Sequence, residues 1–153
     1  MNTDGPPDRL RAALAAHTTL ALAYTDDDGP QACAVFHAVT DTGSLVFLTA
    51  RSTRHGAALA RQAPGARVAF TAHRDAQKWS SLTGLQGRGL CERATGPALA
   101  AARAAYARRF PFVATAGRLA QALSRADHWE IHPTWLRLVD NSRGFGHKTE
   151  WSV

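Results

Sequence analysis

Cysteine is scarce in this chain: Cys33 and Cys91 stand far apart, each inside an apolar, strand-like run. Two such residues are too few for the disulfide framework of a small secreted domain and too distant for a zinc pair, so both are expected as buried free thiols. Lysine is nearly missing as well, at 2 of the 18 basic residues, an arginine excess that compositional bias explains in part. Aromatic residues make up 8% and form no stacking series, which argues against a single-stranded nucleic-acid binder. No apolar run approaches the roughly 20 residues that span a bilayer. The opening M-N-T-D-G-P-P-D is acidic and proline-broken, unlike a signal peptide. The expectation from these two absences is a cytoplasmic protein with no membrane partner.

Familiar catalytic signatures are absent too. There is no G-x-S-x-G elbow, and Cys33 has no sequence neighbour to activate it, so no nucleophile triad is expected. G-L-Q-G-R-G (84–89) has the dinucleotide-binding glycines in the wrong order and opens no helix, and G-F-G-H-K (144–148) lacks the phosphate-loop spacing. H-W-E-I-H (128–132) places two histidines four apart, but Glu130 is displaced from the metalloprotease position and Pro133 follows at once. On a strand these histidines share a face yet lie too far apart for one ion, so no metal site is expected.

What is present is globular in composition, 45% hydrophobic and 20% charged over 153 residues, with no internal repeat or low-complexity linker. This fits one domain over 1–153, with an N-terminal helix within 1–16 and a C-terminal tail over 140–153. Charge is unevenly placed. Residues 1–50 carry 2 basic and 6 acidic groups, net −4, and 51–118 carry 12 and 2, net +10. The remainder balances at 4 and 4, leaving +6 overall. Such a central field favours anionic partners, a nucleotide cofactor ahead of nucleic acid.

Patterning gives a helix over Asp8 to Ala16 with leucines 10 and 14 on one face, then a strand over His17 to Thr25 with Leu20, Leu22 and Tyr24 on one face. Asp-Asp-Asp-Gly-Pro (26–30) is a turn into a second strand, Gln31 to Thr40, and Asp41-Thr-Gly43 leads into a third, Ser44 to Thr49. A helix over Thr53 to Gln62 stops before Ala-Pro-Gly (63–65). Arg67 to His73 is the fourth strand, and Leu82 to Ala94 the fifth, with glycines 84, 87 and 89 marking a bend or the close approach of a ligand or another backbone. Helices follow over 98–110 and 117–124, then a last strand over 128–131 and 134–140, interrupted at Pro133. About six strands, mostly joined by hairpins and interrupted by a helix, predict an α+β fold, mainly β: a small closed barrel with helices packed outside.

The stretch that carries chemistry runs from Leu45 to Leu59, L-V-F-L-T-A-R-S-T-R-H-G-A-A-L. A strand feeds a helix through a turn holding Arg51, Ser52, Thr53, Arg54 and His55 just after Thr49. A helix start offers unpaired N–H groups and the positive end of a dipole, arginines supply fixed charge, and hydroxyls add donors; together they suit a phosphate.

With T-R-H-G (53–56), G-L-Q-G-R-G (84–89) and D-N-S-R-G-F-G-H-K-T-E-W (140–151) in view, the chain resembles the split-barrel flavin-binding proteins typified by pyridoxamine 5′-phosphate oxidase, and more particularly their YhbP-like branch. The matches span about residue 17 to the C-terminus. The resemblance implies a homodimer of six-stranded split barrels with FMN in each interfacial cleft, and flavin-dependent oxidoreductase chemistry on an unnamed substrate. It places the FMN phosphate on Thr49, Thr53 and Arg54, with His55 where the oxidases carry lysine, and with Arg51 and Ser52 beside them. It offers Val35 to His37, Phe36 among them, as ring contacts, adds Gln86 of the L-Q-G-R-G strand, and implies that Lys148 and Trp151 of the tail reach the partner's cleft. The neutral imidazole at His55 implies weaker phosphate binding, pH-dependent around the histidine reference value of about 6.5. No counterpart of the oxidases' pyridoxamine phosphate contacts is found. The alternative is a binding module on the same fold with a degraded cofactor site.

Overall fold

Period-two burial along most of the strands builds the architecture in the computed structural model, which describes residues 5–153. Of the acidic opening discussed above, residues 1–4 lie outside the described residues. The order of elements is α1 (Asp8–Ala15), β1 (Thr19–Asp26), β2 (Gly29–Val39), β3 (Leu45–Thr49), α2 (Arg54–Arg61), β4 (Ala66–His73), β5 (Thr83–Arg93), α3 (Gly96–Arg109), α4 (Arg118–Leu123), β6 (Asp127–Asp140) and β7 (Lys148–Ser152). Short 3-10 turns at Trp79–Ser81, Pro111–Ala114 and Asn141–Arg143 join some of them.

The strands form one antiparallel sheet in the order β3-β2-β1-β4-β5-β6-β7, and β3 also pairs with β6. That second pairing, Leu45 opposite Ile131 through Thr49 opposite Asp127, closes six strands on themselves and leaves β7 appended to β6. The closed barrel is six-stranded as expected, and the tail, rich in glycine and charge, adds a seventh strand, the alternating Lys148–Ser152. The last strand is also continuous. Pro133 does not interrupt it, because β6 bulges beside it: Arg88 pairs with Trp135 and Gly89 with Pro133, leaving Thr134 as the extra residue, and a bulge is a place where a missing N–H is tolerated.

Inside the closed ring, Leu20, Leu22, Phe47, Phe70, Leu85, Ile131 and Leu136 form the main core, and α1 seals one end of it with Leu10 and Leu14, both 0% exposed. Each such leucine contributes about 1.5–3 kcal/mol of apolar burial, which holds a helix too short to persist alone. Outside the ring, Ala102 and Tyr106 of α3 pack on Ala38 and Val46, a second small core. This covering explains why β3 reads as a continuous apolar run: Leu45 and Phe47 face inward while Val46 faces α3.

Two of the glycines in β5 are explained by close approach. A Cβ on Gly87 would meet the Phe70 ring at 2.2 Å, and one on Gly89 would meet the His132 carbonyl oxygen at 2.2 Å. Cys91 is buried, and burial pushes its thiol up to about 12. Cys33 is only half-buried, a correction to the expectation of two buried thiols.

Candidate functional site

The turn after β3 is organised by Thr53, the N-cap of α2. Its hydroxyl donates to the Ala50 carbonyl at 2.8 Å and accepts from the Gly56 N–H at 3.0 Å, satisfying one of the donors a helix start leaves open. Thr53 Oγ1 lies 2.8 Å from Thr49 Oγ1, which lies 2.8 Å from His55 Nε2. The proton order consistent with these contacts runs from His55 Nε2–H to Thr49, to Thr53, to the Ala50 carbonyl. That order leaves His55 Nδ1 as a bare acceptor. Burial lowers the His55 pKa, so near neutral pH the imidazole gains no second donor. Gly56 is required where it stands, since a Cβ there would meet the Ala50 oxygen at 2.2 Å.

Both arginines of the turn are already engaged, which the sequence did not reveal. Arg54 donates through Nε to Asp26 and through Nη2 to Asp28, each at 2.7 Å. That hydrogen bond holds the Asp26 carboxyl below its ordinary range and raises the Arg54 pKa. Arg51 donates through Nε to Asp127 at 2.8 Å, and Arg93 approaches the same carboxylate at 3.8 Å. The signal that could have found the partners of Arg54 was the acidic run 26–28, opposite in charge to the turn. The groups still able to receive an anion are the remaining guanidinium N–H of Arg54, which is 55% exposed, the hydroxyl of exposed Ser52, and the first backbone N–H groups of α2.

The other predicted contacts divide between two faces. Phe36 and Gln86 lie on the outer face of the sheet and Lys148 on the same face of β7, following the registers Ala34–Ala21–Thr71–Gln86–Arg137 and Gly84–Val139–Lys148. The β1, β2 and β4 part of this face is small-chained, with Ala21, Ala23, Ala32, Ala34 and Ala69, and a groove of about 510 Å³ runs over Ala23, Ala69 and Gly89 between Arg67 and Arg88. Phe36 is 60% exposed, its ring edge-on to Phe110 at 5.9 Å. Trp151 sits on the opposite face: it pairs with Leu136 and packs against the core of its own chain. Among the described residues, no hydrogen bond or ion pair joins Phe36, Gln86, Lys148 or Trp151 to the turn.

The histidines that suggested a metal pair have separate surroundings. His128 stands edge-on to Tyr106 at 6.2 Å. His132 accepts or donates at Nδ1 with Ser44 Oγ at 3.2 Å and contacts Glu92 through Nε2 at 3.0 Å. This Ser44–His132–Glu92 series is a triad-like arrangement that sequence spacing gave no sign of, because its members come from three different strands or strand ends. Ser44 is only 6% exposed, so its hydroxyl is not presented to a substrate and the series serves as a polar tie between strand ends. Among the described residues, no group of three or more His, Cys, Asp or Glu side chains is placed to hold a metal ion.

No protein-family model matches the chain. A curated relative, the UPF0306 protein YhbP of Escherichia coli O157:H7, is 34% identical over 126 residues, covering 81% of this chain and 78% of the relative. In three dimensions the chain is similar to a heme binding protein from Mycobacterium smegmatis, at a TM-score of 0.70 and 24% identity, over 96% of this chain and just 58% of that longer one. It is also similar to a pyridoxamine 5′-phosphate oxidase-related, FMN binding protein from Nostoc punctiforme, at a TM-score of 0.57 and 9% identity, over 95% and 91% of the two chains. By its identity to YhbP the chain belongs to the UPF0306 family, and its closed barrel shares the fold of those solved structures.

Proposed function

We propose that this chain is an FMN-binding protein of the oxidoreductase type, working as a homodimer with the flavin phosphate at the start of α2. The observation that carries the reading is the Thr49–Thr53–His55 cluster on the first turn of that helix, beside Arg54 and Ser52. The donors fit a phosphate: backbone N–H groups at a helix start, one exposed hydroxyl and a guanidinium with N–H groups to spare. Arg51 adds long-range positive charge only in part, because Asp127 holds it. The bound flavin ring would supply hydride chemistry. The small-chained outer face would give a planar ring and a partner subunit room to approach, with Phe36 and Gln86 flanking it and Lys148 of the tail meeting the partner, while Trp151 would act only by anchoring β7 to the core. The protein would work in the cytoplasm on a small molecule.

A second reading, a non-enzymatic binding module with a degraded site, draws on a specific observation: both turn arginines carry carboxylates and His55 is held neutral. The visible spectrum of gently purified protein, before and after FMN is added, separates the two. Bound flavin that is reduced and reoxidised by an added acceptor supports the oxidoreductase. Absence of flavin absorbance, of fluorescence quenching and of any thermal shift eliminates flavin binding and leaves the module.

A further inference from the structure

A cavity of about 250 Å³ lies away from the turn, between the outer face of β3 and β6 and the segment from α3 to α4 that folds over them. Its walls are apolar: Leu48, Ala107, Val113 and Leu123. Leu48 and His128 are direct cross-strand partners on its floor, and Arg103 and Ala107, one helical turn apart, face it from α3. α4 buries only Ala120, so Leu123 lines the hollow instead of filling it.

The polar groups here are one-sided. Among the described residues, Arg103 makes no ion pair and His128 no side-chain hydrogen bond, and no carboxylate lines the space. The neighbouring acid, Asp127, is taken by Arg51 at 2.8 Å and Arg93 at 3.8 Å. Tyr106 fixes the His128 ring edge-on. Burial, and then the charge of Arg103, lower the His128 pKa, so the imidazole is a neutral donor-acceptor beside a permanent cation.

We infer that this cavity binds a small monocarboxylate with an apolar body, its carboxylate on Arg103 and His128 and its body against Leu48, Val113 and Leu123. A bare inorganic anion would leave the apolar walls unfilled, and a neutral molecule would leave the guanidinium without a counter-charge. The volume, just below the ~300–1,000 Å³ of ordinary ligand pockets, limits the body to about one ring. The inference is independent of the flavin reading, since the cavity shares no residue with the turn.

The test is titration of the full chain with sodium benzoate, following the His128 imidazole protons by NMR, with benzamide as the uncharged isostere and inorganic phosphate as the bare anion. Benzoate is expected to shift the His128 signals saturably, at a dissociation constant of about 1 mM or lower. Benzamide and phosphate should leave them in place. Arg103→Gln, on an exposed helix position, should weaken benzoate about tenfold or more, and Ala107→Phe, which fills the hollow, should abolish the shift while far-UV dichroism stays unchanged. No saturable His128 shift up to tens of millimolar benzoate, equal binding of benzamide or phosphate, or undiminished binding by Arg103→Gln would each overturn it.

Discussion

At the scale of single residues, Thr53 and Gly56 set the turn. Thr53 closes the helix start and holds Thr49 and, through it, His55. Thr53→Ala should cost about 1 kcal/mol, up to about 2, in urea unfolding, while Thr53→Ser should recover most of it. Gly56→Ala drives a methyl into the Ala50 carbonyl and should cost about 1–3 kcal/mol, whereas Gly84→Ala, with nothing within 4 Å of the new Cβ, should stay within about 0.5 kcal/mol. The residue types of this turn were legible in the sequence. The proton order was not, because it depends on the 2.8 Å contacts that only the folded turn creates.

Histidine also gives the molecule a pH dependence. His37 is 1% exposed, donates through Nε2–H to the Leu14 carbonyl, and has its pKa lowered chiefly by burial, with His17 and Arg109 adding positive charge nearby. A folded-state value below the unfolded one means that the unfolded chain takes up the proton first. Stability is therefore fully present above about pH 6.5 and falls as pH drops towards the folded-state value, by at most about 1.4 kcal/mol per pH unit for this group. Asp26 and Asp140, whose carboxyls are held low by hydrogen bonds, lose their contribution in a separate window below about pH 3.9. Urea unfolding at stepped pH should show the first loss flattened in His37→Gln and the second unchanged.

At the scale of elements, the tie between the start of α2 and the β1–β2 hairpin matters most. Arg54 bridges Asp26 and Asp28 across that gap, so a phosphate arriving at the helix must share the guanidinium. Asp28 is the exposed partner of the two. Asp28→Asn should therefore release Arg54 in part and tighten flavin binding by up to about fivefold, the worth of a surface pair. Weaker or unchanged binding in a fluorescence titration would place the phosphate elsewhere. The hairpin pattern, the helix after β3 and the alternating faces of β1 and β2 were all legible from periodicity. β7 was hidden because its glycine-rich approach masked a five-residue alternation, and the unbroken β6 was hidden because its proline is tolerated beside a bulge at Thr134 that only the pairing with β5 reveals.

At the scale of the whole molecule, the charge segregation read along the chain turns into pairing. The acidic first third meets the basic middle through Arg54 with Asp26 and Asp28, Arg61 with Asp27, and Arg108 with Asp41. The central excess is thus partly neutralised within the fold, which weakens the case for nucleic acid more than composition alone did. No helix among the described residues is long and apolar enough to cross a membrane. The small-chained outer face is the surface proposed for the second subunit, and sedimentation should report twice the 16.4 kDa chain mass. Ala21→Arg, a large charge set in the middle of that face, should return the single mass and release the flavin together.

The proposed flavin phosphate site at the start of α2 can be tested through the phosphate alone. The most direct measurement is a paired titration of the protein with FMN and with riboflavin, which differ only in that phosphate, followed by flavin fluorescence for the wild type and Arg54→Ala. Saturable quenching of FMN is expected, with binding of riboflavin weaker by about tenfold or more and loss of that preference in Arg54→Ala. Equal affinity for FMN and riboflavin, or a preference for FMN that survives Arg54→Ala, would contradict it.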